Sequence, residues 1–313
     1  MTDITAIGEV LIDLTQSCVT EQGIPRFDAN PGGAPANLAV AASRLGAKAA
    51  FIGRVGTDSF GTYLRQCLLE NGVDVSGLSV DEKARTTLAV VALDEKGERT
   101  FSFYRDPSAD VNLSWEHVPM ELLGHTKVLH FGSVSLTREP SRTATLKAAE
   151  YARAQGALVS YDPNYRASLW PDEQSAVRNM LSPLPLVDIL KVSDEELPLL
   201  TGLSDPDRGS ALLAEKGIRL VLVTLGADGA FYRFDGHTGH VPGVPCVVGD
   251  TNGSGDTFFG AVLSQLVKLP GLDALTVSEL SRIVAFANKA ASITTSRHGA
   301  IPAMPTLTEM GLF

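Results

Sequence analysis

Residues 250–260 read Asp-Thr-Asn-Gly-Ser-Gly-Asp-Thr-Phe-Phe-Gly, and this stretch decides how the C-terminal part of the chain is interpreted. Gly253 and Gly255 allow the backbone to turn tightly and to approach a ligand closely. The apolar spacing that follows predicts a helix over 255–266, whose unpaired N–H groups and dipole favour an anion at its start. Asp256 either stabilises the first helical turn or acts as a general base beside a phosphate. The combination of residues favours the second interpretation.

Outward from this stretch, short β-branched runs alternate with longer helical patterns. Strands are predicted at 4–10, 49–52, 128–131, 158–161, 189–192 and 220–224. Helices are predicted at 35–45, 61–70, 141–155, 207–216, 255–266 and 277–295. Such alternation is typical of a mostly parallel sheet with helices on both faces.

One region breaks this alternation. Two strand-like runs, 86–93 and 99–105, are separated only by a turn at 94–98, which is typical of a hairpin. Residues 15–30 are polar and compatible with strands. We interpret segments 15–30 and 86–106 as a small β lid inserted into one domain that covers residues 1–313.

Composition excludes several classes of protein. The 313 residues carry a formal net charge of −10, so a basic surface for nucleic acid is absent. That acidity is compatible with ATP, because local amides, basic side chains and metal ions can reverse the field inside one cleft. No apolar run reaches the length of a membrane span, and the sequence has no P-loop motif and no dinucleotide fingerprint, which disfavours a dehydrogenase.

Cysteine usage and the N-terminal sequence bear on the compartment. The three cysteines lie far apart and form no CxxC pair, which fits a reducing environment. Residues 1–14 show no basic segment before an apolar core, so no signal peptide is expected. We therefore expect a cytoplasmic protein. His130 continues a strand pattern, and we interpret it as a core histidine, not a metal ligand.

A second glycine-rich motif lies at residues 30–37, Asn-Pro-Gly-Gly-Ala-Pro-Ala-Asn. Gly32 and Gly33 would let the main chain contact a small polar ligand, and Pro35 suits the first turn of a helix. The Asn37 amide offers both a donor and an acceptor. Taken alone, the motif fits a tight turn with a capping asparagine equally well.

Together the two motifs resemble the two signatures of the ribokinase-like (PfkB) carbohydrate kinases, and the resemblance extends over essentially the whole chain. Ser254 stands where that family usually has alanine. Segments such as NPGGAPANLAV and YDPNYRASLWP resemble bacterial fructokinases within the family. The resemblance implies an α/β fold, a three-layer sandwich with a mostly parallel central sheet and a small β lid. It also implies ATP-dependent transfer of a γ-phosphoryl group to a primary hydroxyl of a small sugar, most readily fructose.

The resemblance also implies roles for individual residues. Asp256 would be the base, and the backbone of 252–256, including Gly253, Ser254 and Gly255, would hold the transferred phosphoryl group. The residues implied to bind the sugar are Asp13, Gly32, Gly33, Asn37, Arg105 and Arg166. The residues implied to bind the nucleotide are Lys191, Thr224, Gly226, Gly229 and Asn288.

Two cation sites are implied in the same way. Glu196 would organise Mg²⁺ through water, although Ser193 replaces the asparagine that is common in the family, and Ser193 and Glu196 also match a capping box. Asp250, Asn252 and Ser292 would contribute to a possible K⁺ site. Non-functional interpretations also stay open for two arginines: Arg105 as a solvent-exposed lid residue, and Arg166 as part of a surface salt bridge.

Other functions of the same fold also stay open. A family member could act on 2-keto-3-deoxygluconate, a ribose-like sugar or a nucleoside, and Arg105 would suit the acid substrate. A sugar-binding regulator that has lost catalysis is a different class of protein, but it would be free to lose Asp256. The expected partners are a small sugar and ATP, with no nucleic acid and no membrane, and a homodimer through the lid is plausible because lid strands have exposed edges.

Overall fold

The computed structural model describes residues 1–93 and 99–311, and the predicted turn at 94–98 lies outside them. Nine strands form the central sheet: β1 (Thr2–Ile7), β4 (Ala49–Gly56), β5 (Asp74–Asp81), β8 (Thr126–Gly132), β9 (Leu158–Asp162), β10 (Ile189–Ser193), β11 (Leu220–Thr224), β12 (Ala230–Phe234) and β13 (His237–Val241). Their order is β13-β12-β11-β10-β9-β8-β1-β4-β5. All neighbours are parallel except β11–β12 and β12–β13.

Helices cover both faces of this sheet. They are α1 (Ala34–Arg44), α2 (Ser59–Glu70), α3 (Met120–Gly124), α4 (Ser141–Ala154), α5 (Glu173–Leu181), α6 (Glu196–Thr201), α7 (Pro206–Ala214), α8 (Ser254–Leu266) and α9 (Val277–Thr295). Leu129 and Phe131 of β8 pack with α4, whereas Val128 packs with α8 and α9 on the opposite face. This alternation along one strand confirms the predicted three-layer α/β sandwich. Within the described part of the chain, no helix is both long and apolar enough to cross a bilayer.

The second sheet is the lid. Its strands are β2 (Leu11–Val19), β3 (Pro25–Gly32), β6 (Leu88–Leu93) and β7 (Arg99–Tyr104), in the order β3-β2-β6-β7. The antiparallel β2–β3 pair opposes Leu11 with Gly32 and Asp13 with Asn30. Its register shifts between Gln16 and Cys18, where the strand carries a bulge. Both segments predicted to form a lid therefore contribute strands to one small sheet.

Cap chemistry explains why the helix boundaries near the C-terminus were predictable. At the start of α9 the Thr276 hydroxyl accepts a hydrogen bond from the Glu279 amide at 3.2 Å, and Glu279 Oε2 accepts from the Thr276 amide at 3.0 Å. This capping box satisfies two of the amides that a helix start leaves unpaired. Helix α9 spans the predicted range, and α8 begins one residue earlier than predicted, at Ser254.

One strand prediction was wrong, and strands β5 and β13 were not predicted. The strand predicted over 4–10 ends at Ile7, so Asp13 lies in lid strand β2 and does not follow the first core strand. Gly8 has a φ of 151°, and a Cβ there would lie 2.8 Å from Pro35 Cγ, so this position favours glycine. The chain leaves the central sheet here, although the apolar run in the sequence continues. Strand β5 was missed because its glycine, serine and aspartates are poor strand formers, although tertiary packing buries Val75 and Leu78.

Candidate active site

Two adjoining hollows open at the carboxyl edge of the parallel strands. The smaller, a cavity of about 70 Å³ that we call the inner cavity, is lined by Glu9, Asp13, Gly33, Asn37, Phe103 and Val134, among others. The larger, a cleft of about 780 Å³ that we call the outer cleft, is lined by Tyr165, Ser168, Lys191, Glu195, Thr251 and Gly255, among others. The residues that line both are Asn164, Arg166, Asn252, Gly253 and Asp256. Open α/β sheets bind ligands at this edge.

Asp256 lies where the two hollows meet. Its Oδ2 accepts a hydrogen bond from Asn37 Nδ2 at 2.8 Å, and its Oδ1 accepts one from Asn164 Nδ2 at 3.2 Å. Burial raises the pKa of this carboxyl, against the opposing effects of the Asn37 hydrogen bond and the positive charges of Lys191 and Arg166. A carboxylate with increased proton affinity, facing both hollows, is suited to take a proton from a bound hydroxyl.

The start of α8 forms the wall beside Asp256. Gly253 is left-handed with φ 73°, and a Cβ there would lie 2.9 Å from Ala300 Cβ, so the turn requires glycine. Ser254 begins the helix, and its own amide donates to Thr251 O at 3.3 Å. Its backbone is helical in the position where the family usually has alanine, so the substitution leaves the helix start intact.

Lys191 places a positive charge over this helix start. Its Nζ lies 3.0 Å from Asp162 Oδ2 and would lie 3.3 Å from a Cβ at Gly255. Burial alone would lower the pKa of Lys191, but Asp162, together with Glu196 and Asp256, raises it on balance. A charged ammonium group beside unpaired helix amides makes the inner edge of the outer cleft an anion site.

Asp13 and the glycine pair form the opposite side of the inner cavity. Burial raises the pKa of Asp13 to about 7, opposed by Arg166 and reinforced by the negative charges of Asp256 and Asp250. A Cβ at Gly32 would lie 2.3 Å from Asp13 Oδ2, so only glycine leaves room for that carboxyl. The structure thus brings Asp13, Gly33, Asn37 and Asp256 to one cavity, with Gly32 directly behind Asp13.

The two arginines predicted to bind sugar differ in position. Arg166 is half-buried and lines both hollows, and its positive charge acts on the carboxyl groups of Asp13 and Asp256. Arg105 is buried, and it forms an ion pair with Asp110 at 2.7 Å. Its other nitrogens donate to Thr137 Oγ1 at 2.6 Å and to Val134 O at 3.1 Å. Arg105 is therefore not a solvated lid residue, and its contact with a sugar stays a prediction.

Four of the residues predicted to bind the nucleotide form a group outside both hollows. Thr224 ends β11 beside Ser193 of β10, and the turn that follows closes with a hydrogen bond from the Leu225 amide to Gly229 O at 2.8 Å. This turn joins β11 to β12 in a glycine-rich hairpin and contains Gly226. A Cβ at Gly229 would lie 2.2 Å from Val241 O.

Asn288 of α9 belongs to the same group. Its Nδ2 donates to Val241 O and Pro242 O, both at 3.0 Å, and so holds the chain that leaves β13 against α9. The hairpin turn after β11, the end of β13 and Asn288 are thereby assembled along one side of the sheet edge. Of the predicted nucleotide residues, Lys191 alone lines the outer cleft.

Glu196 closes a capping box at the start of α6. Its Oε2 accepts from the Ser193 amide at 2.9 Å, and Ser193 Oγ accepts from the Glu196 amide at 3.1 Å. Its Oε1 accepts from the Tyr165 amide at 2.7 Å. The capping interpretation is confirmed, and both carboxylate oxygens already serve the backbone.

Asp250 organises a loop next to the start of α8. Its carboxylate accepts from the Asn252 amide at 2.8 Å and from the Gly299 amide at 3.2 Å. The Ser292 hydroxyl donates within α9, to Lys289 O at 2.8 Å. Among residues 1–93 and 99–311, no group of three or more His, Cys, Asp or Glu side chains is placed to hold a metal ion.

Sequence reasoning gave no role to two residues of the candidate site. Asn164 follows β9 and orients Asp256, with a φ of 46° that is uncommon outside glycine. Glu9 lines the inner cavity, and the signal that could have found it is a charged residue inside an apolar run. The prediction for His130 is confirmed: it is buried, lies 3.1 Å from Ser160 Oγ and packs edge-on against Phe259.

The sequence matches the model of the pfkB family carbohydrate kinases over residues 1–307. This chain belongs to the pfkB family of carbohydrate kinases. Among its pfkB relatives, Fructokinase-1 of Zea mays is 44% identical over 310 residues, which are 98% of this chain and 96% of that protein. Fructokinase-2 of Solanum lycopersicum is 44% identical over 313 residues, covering 98% of this chain and 94% of that protein.

Solved structures show the same likeness in three dimensions. The crystal structure of fructokinase with bound ATP from Xylella fastidiosa superposes with a TM-score of 0.92 at 34% identity, covering 98% of this chain and 96% of that chain. A fructokinase double mutant from Vibrio cholerae, bound to fructose, ADP and potassium ion, gives a TM-score of 0.90 at 35% identity. It covers 99% of this chain and 97% of that chain. These pfkB structures share the whole architecture described above.

Proposed function

We propose that this carbohydrate kinase is an ATP-dependent fructokinase that transfers the γ-phosphoryl group to a primary hydroxyl of fructose. The observation that carries the proposal is the position of Asp256 at the start of α8, where the inner cavity meets the outer cleft. Phosphoryl transfer requires a base, a bound hydroxyl and an anion site in line, and this junction places a carboxyl group and a helix start beside a cavity that could receive the hydroxyl. Relatives named as fructokinases over nearly the whole chain support the choice of sugar.

The proposed reaction runs across that junction. Fructose occupies the inner cavity against Asp13, Asn37 and the main chain of Gly32 and Gly33. The hydroxyl proton passes to the Asp256 carboxylate while the hydroxyl oxygen bonds to the γ-phosphorus, and the bond from that phosphorus to the β–γ bridging oxygen breaks. The α8 amides and Lys191 stabilise the charge on the transferred group, and ADP leaves with the bridging oxygen.

ATP would extend from this anion site along the outer cleft. Thr224, Gly226, Gly229 and Asn288 are proposed to hold the rest of the nucleotide, since they border the same sheet edge. Mg²⁺ bound to the phosphates would neutralise their charge. Glu196 would reach that ion only through water, because both of its oxygens already accept backbone amides.

A monovalent cation is proposed beside the same helix start. The Asp250 loop is the proposed position, because it brings a carboxylate next to the main chain of Asn252 and Gly299 at the start of α8. Ser292 would contribute through its carbonyl, since its hydroxyl is used within α9. Bound there, K⁺ would stiffen the loop that precedes α8. A Vibrio cholerae fructokinase with potassium ion bound supports this proposal.

The state of Arg105 favours a neutral sugar over 2-keto-3-deoxygluconate. An acid substrate would need an additional cation in the sugar pocket, and Arg105 was the candidate in the lid. Its guanidinium is instead paired with the buried Asp110 and hydrogen-bonded to Thr137 and Val134. Arg166, the cation that does line the cavity, faces Asp13 and Asp256.

Assembly and location are also proposals. The lid exposes apolar side chains, with Tyr104 at 66%, Ile24 at 59% and Val19 at 54% of full exposure, which supports a homodimer through the lid sheet. We propose one catalytic domain over residues 1–313 and a cytoplasmic location, where ATP and sugar are available.

The test is a substrate panel in a coupled assay that detects ADP. Fructose, ribose, nucleosides and 2-keto-3-deoxygluconate are compared with Mg-ATP at equal concentrations. We expect fructose to give the highest kcat/KM. Preference for the keto-acid would replace the proposed substrate, and turnover of no compound would favour a sugar-binding regulator.

A further inference from the structure

Glu9 is a buried acid at the inner cavity that the reaction above does not use. It lies between β1 and β2 and is only 3% exposed, yet it lines the inner cavity. Its Oε1 accepts a hydrogen bond from the Ala34 amide at 3.2 Å. Its Oε2 is buried and has no hydrogen-bond partner within residues 1–93 and 99–311. Leaving such a group unpaired is costly, which favours a bound ligand that hydrogen-bonds it.

The protonation state of Glu9 determines whether its partner must accept or donate a hydrogen bond. Burial raises the pKa of the Glu9 carboxyl to about 7, and the charges of Arg105 and Asp110 act in opposite directions on it. At neutral pH a large part of the protein therefore carries Glu9 as the neutral acid. A neutral carboxyl can donate a hydrogen bond, which an ionised carboxylate cannot.

Asn37 supplies an independent second observation in the same cavity. Its Nδ2 is committed to Asp256, and its Oδ1 is buried without a partner in the described part of the chain. Both Glu9 and Asn37 line the inner cavity. One unused acid group and one unused amide oxygen match hydroxyl groups, because each hydroxyl can both accept and donate.

We propose that Glu9 is a further sugar-binding residue, whose Oε2 hydrogen-bonds one hydroxyl of the bound sugar. The inference rests on the proposed function, because it requires a polyhydroxy ligand in the inner cavity. Glu9 would thus join the proposed sugar-binding residues without acting as the base. Its effect is therefore expected in sugar affinity and in the choice between sugars, with little change in kcat.

A purely structural role would give a different pattern. Glu9 also holds the Ala34 amide at the start of α1, so its removal could loosen the loop that carries Gly33. Loosening that loop would weaken binding of every sugar to a similar extent. A direct contact instead concerns one hydroxyl, so its loss changes the affinity for sugars that possess that hydroxyl.

The experiment combines Glu9→Ala and Glu9→Gln with fructose analogues that each lack one hydroxyl. Analogues are measured as substrates or, where the acceptor hydroxyl is missing, as competitive inhibitors. We expect Glu9→Ala to bind fructose about tenfold more weakly. One analogue, which binds about tenfold more weakly than fructose to the wild type, should lose no further affinity in Glu9→Ala. Glu9→Gln keeps an acceptor for Ala34 and a donor for the sugar, so it should stay within about threefold of the wild type.

The control is Asp205→Ala, which removes a similar helix cap from the Arg208 amide at the start of α7, outside the inner cavity. This variant should keep the wild-type pattern across the analogues. An equal loss for every analogue in Glu9→Ala would overturn the proposed contact. If Glu9→Ala does not fold, Glu9→Met, which keeps the length of the side chain without its hydrogen bonds, takes its place with the same expected pattern across the analogues, and an equal loss for every analogue would again overturn the contact. Wild-type turnover of fructose tests the proposed function separately.

Discussion

Helices α6 and α8 both begin at the carboxyl edge of the central sheet, and both carry an acid in the first turn, Glu196 and Asp256. The carboxylate of Glu196 accepts backbone amides, from Ser193 and Tyr165. Asp256 instead accepts side-chain amides, from Asn37 and Asn164. The first acid completes a helix start, whereas the second leaves the amides of its helix available to a ligand.

The two acids also differ in how far along the chain their partners lie. The partners of Glu196, Ser193 and Tyr165, lie 3 and 31 residues away, whereas the two asparagines that hold Asp256 lie 219 and 92 residues away. A local cap forms with its helix, but the surroundings of Asp256 exist only once the whole domain has folded. An acid in the first helical turn thus stabilises structure in one case and supports chemistry in the other.

The largest expected effect comes from removing the charge of Asp256. Asp256→Asn removes the base but keeps the size of the side chain, so kcat should fall by roughly 10² to 10⁴. Stability should change little, because removal of a buried acid is offset by the loss of one acceptor for Asn37 or Asn164. Turnover in the ADP assay and thermal melting check both parts. Near-normal turnover would remove Asp256 from the role of base.

Removing the carboxylate of Glu196 should instead lower the stability of the protein. Glu196→Ala leaves two amides of Ser193 and Tyr165 without their acceptor, so the free energy of unfolding should fall by about 1–3 kcal/mol. Urea denaturation without nucleotide measures this loss. An unchanged free energy of unfolding would contradict the capping role. If the same variant also needs a higher Mg²⁺ concentration to reach its half-maximal rate, that result supports the proposed contact of Glu196 with Mg²⁺ through water.

The hydrogen bond from Asn37 should be visible in the pH profile of the reaction. Asp256 must be ionised to accept the proton, and the Asn37 amide favours the ionised form and so lowers the pKa of Asp256. In Asn37→Ala that pKa should rise, so the acidic limb of kcat should move to higher pH. The profiles are compared at saturating fructose, and Asn37→Ser is the matched variant that keeps a donor. If the acidic limb stays at its wild-type pH, the Asn37 hydrogen bond does not influence the pKa of Asp256.

The smallest expected effect is at Ser254. Its side chain lines neither the inner cavity nor the outer cleft, and its backbone is already helical. Ser254→Ala should change kcat/KM by less than about twofold, since substitutions away from specific contacts alter free energies by about 0.5 kcal/mol or less. A larger loss would mean that the hydroxyl contacts the phosphoryl group.

Sequence patterns predicted those parts of the fold that depend on local chemistry. The capping box of Thr276 and Glu279 marks the start of α9, and the alternation of strands and helices predicts the layered sheet. The end of β1 was mispredicted because residues 8–12 keep an apolar pattern while the chain crosses from one sheet to the other. Strand β5 depends on tertiary burial, which its own residue types do not indicate.

The candidate site divides along the same line. Asp13, the glycine pair and Asp256 were found because they belong to motifs with a recognisable spacing. The ion pair of Arg105 with Asp110 and the contact of Asn164 with Asp256 depend on where loops meet after folding. Glu9 was missed as a site residue because its significance lies in an unpaired oxygen atom, which only a structure can reveal.

The bulge in β2 gives the lid an internal boundary. Side chains alternate along a strand, so adding one residue on the cavity side of the bulge would turn Asp13 away from the inner cavity. Beyond Cys18 the pairing with β3 already runs in a shifted register, and the tip at 20–24 contributes no residue to either hollow. Length changes should therefore be tolerated in the tip and rejected between Leu11 and Gln16. An epitope tag or a fluorescent label inserted at the tip would leave the sugar site in place.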